Sequence, residues 1–218
     1  MNKDRSELNK NMQLMIKKTD TFSDGISVLF ELRNSLMRSI LSFRKELSEE
    51  DFSKMPFPNA NGYHSKTVAY SLWHIFRIED IVAHTLINDD EQIFFSGRFR
   101  ELIGSPIITT GNELEGQQIA DFSKQLDINE LYSYISNVKA STDSILESLT
   151  FDTMKKKIPA ERKEKLLALN VVSPDEKAAW LVDYWCGNDI RGLIQMPFSR
   201  HWIMHTEACL RIINKIRK

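Results

Sequence analysis

The stretch HWIMH near the C-terminal end places His201 and His205 four residues apart in a segment of helical periodicity. Residues at i and i+4 share a helix face, with about 5–6 Å between their β-carbons. At that spacing two imidazoles can grip one metal ion, as they do in zincin helices. The zincin glutamate after the first histidine is missing, because Trp202 stands there. Two imidazoles make a weak site, and a stable one needs a third ligand from elsewhere. His74, in SLWHIFRIED, lies on the apolar stripe of another helical segment, flanked on that face by Ser71, Ile78 and Ile81. Inward histidines on two helices can converge in a core, where helical bundles build their metal sites. The plainer reading makes each a core histidine bonded to a serine or a carbonyl, and periodicity alone does not separate the two.

The other chemistry-bearing residues read differently. His64 precedes the second helical segment and suits a surface or capping role. His84 is rotated roughly 80° from His74 on a helical wheel, which makes it a rim residue rather than a ligand. No Glu-x-x-His occurs, which argues against a ferritin-like di-iron site. Cys209 lies eight residues past His201, about 12 Å along a helix axis, too far for one ion to bridge. It reads as a small buried hydrophobe. Glu79, Asp80 and Glu207 could orient a ligand's second nitrogen, but none falls clearly on an inner face; each reads as a solvated or structural charge. Arg77 could hold a substrate carboxylate or form a flanking ion pair. Trp73 and Trp202, beside the histidines, could wall a pocket or fill the core, and Trp180, Tyr184 and Trp185 could cap its mouth. Lys155, Lys156 and Lys157 with Arg162, Lys163 and Lys165 read as a solvated face rather than a seat for an anionic cosubstrate.

Four long segments must position these residues. The first carries Phe22, Ile26, Leu29, Leu36, Ile40 and Leu47 on one stripe and stops at Pro56, Pro58 and Gly62. The second repeats Ser71, His74, Ile78, Ile81 and Thr85. The third holds Leu131, Ile135, Val138, Thr142, Ile145 and Leu149, with Asp127 and Glu130 spaced as a capping box. The fourth places Phe198, Trp202, His205, Cys209, Ile212 and Ile216 in a narrow arc. Residues 88–127 hold four of the eight glycines and Pro106, and read as a long loop with one short helix. A loop of that length inside a compact domain often covers a site. Residues 151–196 read as a helical insertion, in which Ser173-Pro174-Asp175-Glu176 starts a helix, Ser173 as its cap, that stops at Gly187. The fold class expected is all-α: a four-helix bundle in one domain over 1–218, with short helices inserted between its third and fourth members.

Composition narrows the partners. Lys and Arg number 29 against 30 Asp and Glu, a balance that argues against nucleic-acid binding. No apolar run approaches the ~18 residues that a membrane span needs. The start MNKDRSELNKNM has no secretory pattern, and two cysteines fit a reducing compartment, so a cytoplasmic location is expected. Helical faces of this kind can also pair, and a homodimer is an expectation on that ground.

SLWHIFRIED and the downstream HWIMH together resemble the DinB-like family of metal-binding proteins. The resemblance covers the four long helices and leaves out the first twenty residues and the 151–196 insertion. It implies a four-helix bundle of variant up-and-down topology. It also implies that His74, His201 and His205 are the ligands of one divalent transition metal, nickel or zinc. Three neutral imidazoles leave such an ion its full charge and an open position, which acidifies a bound water to a pKa of about 7 for zinc or deprotonates a bound thiol. Hydrolysis and thiol transfer to a small-molecule substrate follow as the two chemistries. Several family members favour the second, as S-transferases or isomerases that use a low-molecular-weight thiol (bacillithiol, mycothiol or glutathione). The competing expectation is a non-catalytic bundle that keeps the fold for a binding or stress-response role.

Overall fold

The computed structural model describes residues 3–218. In chain order the helices are α1 (Lys3–Met15), α2 (Phe22–Glu46), α3 (Val68–Asp80), α4 (Ile93–Ser96), α5 (Phe99–Ile103) and α6 (Gln117–Lys124). They are followed by α7 (Ile128–Ser148), α8 (Ala160–Ala168), α9 (Glu176–Gly187), α10 (Ile190–Gln195) and α11 (His201–Ile216). No β-strand forms among the described residues, and Lys157 and Asp189 make one isolated bridge. The protein is all-helical. No helix among the described residues is long and apolar enough to cross a membrane.

The apolar stripes do what their period demands. Leu29, Leu36 and Ile40 of α2, Leu131, Ile135 and Val138 of α7, and Trp202, Cys209 and Ile212 of α11 are all buried. α3 lies between α7 and α11, and all thirteen of its side chains are buried. A helix covered on every side is normally apolar all round, yet α3 carries His74, Arg77, Glu79 and Asp80. Each therefore needs a partner inside the protein, and those partners organise the site. Thr67 starts the helix, its hydroxyl accepting from the backbone N–H of Tyr70 at 3.0 Å. At its far end α3 runs on as the π-helical segment Ile81–Asn88.

Residues 88–127, expected as a loop with one short helix, instead contain α4, α5 and α6. Charges of α3 anchor two points of this segment. Asp80 accepts from the N–H groups of Ile93 and Phe94 at 2.8 and 2.9 Å, and Arg77 donates to the Ile108 carbonyl at 2.7 and 3.0 Å. Buried charges on the central helix thus satisfy the backbone of the segment that wraps it. The first twenty residues also hold a helix, α1, which packs along α2. In the insertion, α9 starts two residues later than the proline signal suggests. Asp175, not Ser173, is the cap, accepting from the N–H of Lys177 at 2.9 Å, while Ser173 accepts from the N–H of Asp175 in the turn before it. As expected, α9 ends at Gly187. Leu166, Leu181, Trp185 and Leu193 of the insertion join Met12, Ile16, Leu29 and Val82 in a second hydrophobic cluster.

Candidate metal centre

His201 is the first residue of α11, directly after a π-helical turn, Met196–Arg200, that contains Pro197. Proline has no N–H to give an i→i−4 bond, so the ladder widens there and His201 enters α11 from a shifted register. His205 follows one turn on, and His74 faces both from the middle of α3. The ring centres lie 5.0 Å apart for His74 and His201, 4.9 Å for His74 and His205, and 4.6 Å for His201 and His205. One nitrogen of each lies within 4.8 Å of the others, and these three form the one such cluster of potential ligands among the described residues. The three histidines singled out by spacing and inward placement are brought together.

Their chemistry is set by burial. Nδ1 of His74 contacts the Thr110 carbonyl at 2.6 Å. A carbonyl only accepts, so Nδ1 carries the proton and Nε2 keeps its lone pair. Tyr70 stacks on the His74 ring at 5.4 Å, and Tyr63 meets the edge of His205 at 4.7 Å. Nδ1 of His201 and Nδ1 of His205 are buried with no hydrogen-bond partner. Desolvation pulls the pKa of His74 down to about 4, the Thr110 bond opposing it only in part. It pulls His201 and His205 well below the usual value, and the neighbouring histidines add to the effect. All three are thus neutral at physiological pH, the form that binds metal. Three imidazoles with no carboxylate or thiolate among them suit zinc, nickel, copper or iron better than magnesium or calcium. The residues fit a metal.

Two unlike cavities meet at the cluster. A polar one of about 570 Å³ is lined by Lys66, Tyr70, Asn112 and Glu115 among others. An apolar one of about 120 Å³ is lined by Trp180, Leu181, Tyr184, Trp185 and Pro197. Tyr63, His74, Asn112 and His205 line both. The aromatics of α9 therefore wall the site, whereas Trp73 and Trp202 are wholly buried core and line neither cavity.

The remaining candidates lie elsewhere. Arg77 is no substrate clamp: it is buried between Ile108, Gln92 and the Phe94 ring, which lies 4.4 Å from the guanidinium carbon. Glu79 and Asp80 are structural charges, but on inner faces, which the helical wheel did not show. Glu79 takes both Nη atoms of Arg33 at 2.8 and 2.9 Å, and Asp80 accepts from the Tyr134 hydroxyl at 2.9 Å. Glu207 pairs with Arg5 at 3.2 Å. His84 is no ligand, and it is buried rather than at a rim, with Nδ1 2.6 Å from Asp90. His64 accepts from Arg211 at 3.2 Å. Cys209 is fully buried, and burial pushes its thiol up to about 12. The basic run is a surface, with Lys163 on Asp183, and Arg162 and Lys165 on Asp89.

Thr110, Tyr63, Lys66 and Asn112 were not anticipated. Tyr63 and Lys66 lie in NGYHSK, just before α3, and line the polar cavity with His74. A backbone carbonyl such as that of Thr110 leaves no trace in residue type. Gly111 holds this carbonyl in place: its φ is +75°, and a β-carbon there would lie 2.8 Å from Trp73 and 3.1 Å from Tyr70. Gly111→Ala is expected to lower stability by about 1–3 kcal/mol and to weaken metal uptake in the same protein. An unchanged thermal midpoint would show that the loop can shift freely. Comparison with known proteins finds no matching family model, curated protein or solved structure.

Proposed function

We propose that the chain is a DinB-like protein, a four-helix bundle of α2, α3, α7 and α11. In this reading it holds one divalent transition metal, zinc or nickel, through His74, His201 and His205. It acts on a small molecule as a thiol-dependent S-transferase or a metal-dependent hydrolase. The observation that carries this is the pair of buried, unpartnered Nδ1 atoms in a cluster of three neutral imidazoles within 4.8 Å. A core histidine kept for packing is hydrogen-bonded, since leaving a buried polar atom unpaired costs about 1–3 kcal/mol. His201 and His205 each leave one such atom bare, beside a cavity.

When bound, the ion supplies Lewis acidity at an open position, enough to acidify a water or a thiol there. The chain's own groups do the rest. The Thr110 carbonyl fixes the tautomer of His74 and, with the Tyr70 stack, its ring plane. Tyr63, whose pKa burial raises, keeps its proton at neutral pH and presents a phenol where the two cavities join. Trp180 and Tyr184 narrow the mouth on the α9 side and reduce access of bulk water to the apolar compartment. Glu115, the one carboxylate lining the polar cavity, faces solvent and pairs with Lys177 at 2.8 Å.

Elemental analysis of untagged protein purified without chelator tests the reading. Close to one equivalent of zinc or nickel is expected, and none in the His201→Ala, His205→Ala double variant. No metal as purified, none taken up on addition and unchanged stability in the variant would overturn it and leave a non-catalytic bundle.

A further inference from the structure

The cavities at the histidines differ in kind, and the difference describes a ligand. On the polar side Lys66 is half-buried, its ammonium 5.0 Å from the centre of the Tyr70 ring. Among the described residues it forms no ion pair. Desolvation pulls its pKa down, and Glu115 opposes this only in part. A partly desolvated cation with no carboxylate in direct contact is costly, and an arriving anion reduces that cost. Asn112 adds a second open valence: its Oδ1 is buried without a hydrogen-bond partner and lines both cavities. On the other side, Trp180, Tyr184 and Trp185 line a cavity of about 120 Å³. An apolar cavity of about 150 Å³ accepts benzene, so this compartment takes a group no larger than one ring.

We propose that the substrate is a small amphipathic oxyanion. Its carboxylate or phosphate group sits at Lys66, its hydrogen-bond donor meets Asn112, and its ring or branched chain enters the α9 compartment. The bond to be altered then lies between the two ends, beside His74, His201 and His205. This rests on the reading of the histidines as the reactive centre, but the ligand's polarity is set by Lys66, Asn112 and α9.

Isothermal titration with 3-phenylpropionate, phenyl phosphate and neutral 3-phenylpropanol, at fixed ionic strength, tests it on the full chain. At least one of the two anions is expected to bind about tenfold or more tightly than the alcohol, and which one identifies the oxyanion. Lys66→Met should remove that preference and leave the alcohol unchanged, Lys66→Arg should keep it, and Tyr184→Ala should weaken all three probes. The same titrations on chelator-treated protein separate Lys66 from any metal. A preference that survives chelation and falls with Lys66→Met belongs to Lys66. A preference that disappears on chelation, or that Lys66→Met leaves intact, overturns the proposal while the metal reading stands, as does no binding by any probe. A protein that takes up no metal would still give the Lys66 comparison.

Discussion

Replacing Glu79 with alanine is expected to lower the unfolding free energy by about 3–5 kcal/mol, among the largest losses for a residue outside the histidine cluster. Arg33 and Glu79 are both wholly buried, joined by two bonds of 2.8 and 2.9 Å. Arg33 also donates to Asp143 at 2.9 Å and to the Phe198 carbonyl at 3.2 Å. Burial alone would pull its pKa down, but Glu79 and Asp143 outweigh that and hold it above the usual value, so it stays charged. Without Glu79 this buried guanidinium keeps one partly exposed carboxylate, which Lys139 shares. The indole N–H of Trp202, which donates to Glu79 at 2.7 Å, is also left bare. Trp202 adjoins His201 in sequence, so weaker metal uptake should accompany the lost stability. Glu79→Gln, which keeps an acceptor, should cost less, and the joint replacement Arg33→Met with Glu79→Leu less again, since no charge is then stranded. Denaturant unfolding of the three variants checks the order. A Glu79→Ala loss below about 1 kcal/mol would mean that the guanidinium finds another partner.

That network also shows where the sequence stops being legible. The stripes of α2, α7 and α11 could be read because each helix buries one face, and a single face leaves a period. The histidine cluster could be read for the same reason: two of its members are one turn apart, and all three are inward. α3 is covered on all sides, so Glu79 and Asp80 fall on no clear inner face of a helical wheel although both are buried. Their partners lie 46 residues away for Glu79 and Arg33 and 54 for Asp80 and Tyr134, distances over which no local pattern operates. The segment 88–127 misled in a related way. α4 and α5 are too short to show a period; Asp80 of α3 holds the start of α4, and α5 packs on α7. α1 buries only Arg5 and Met12, which is too little to mark a helix from composition.

Metal should stabilise the protein, and more strongly at neutral than at acid pH. A ligand that binds only the folded state adds about 4 kcal/mol when its concentration is a thousandfold above Kd. Zinc at saturation should therefore raise the thermal midpoint of chelator-treated protein and leave that of the His201→Ala, His205→Ala variant unmoved. The pH dependence follows from the buried imidazoles. Unfolded histidine titrates near 6.5, whereas His74 in the folded metal-free protein titrates at about 4, with His201 and His205 also lowered. Between those values the unfolded chain holds more protons than the folded one. Stability of the metal-free protein must then decline as pH falls through 6.5 toward 4, with a limiting slope of about 1.4 kcal/mol per pH unit for each histidine. The same lowering works in the metal's favour, because protons compete for lone pairs of reduced basicity. Metal should be retained at pH 5.5, where ordinary surface histidines are mostly protonated. Imidazole proton NMR of the metal-free protein, followed against pH, decides the point. Titration of all three rings near 6.5 would mean that they are as basic as those in water and that burial does not govern the site, whereas titration well below 6.5 follows from their desolvation.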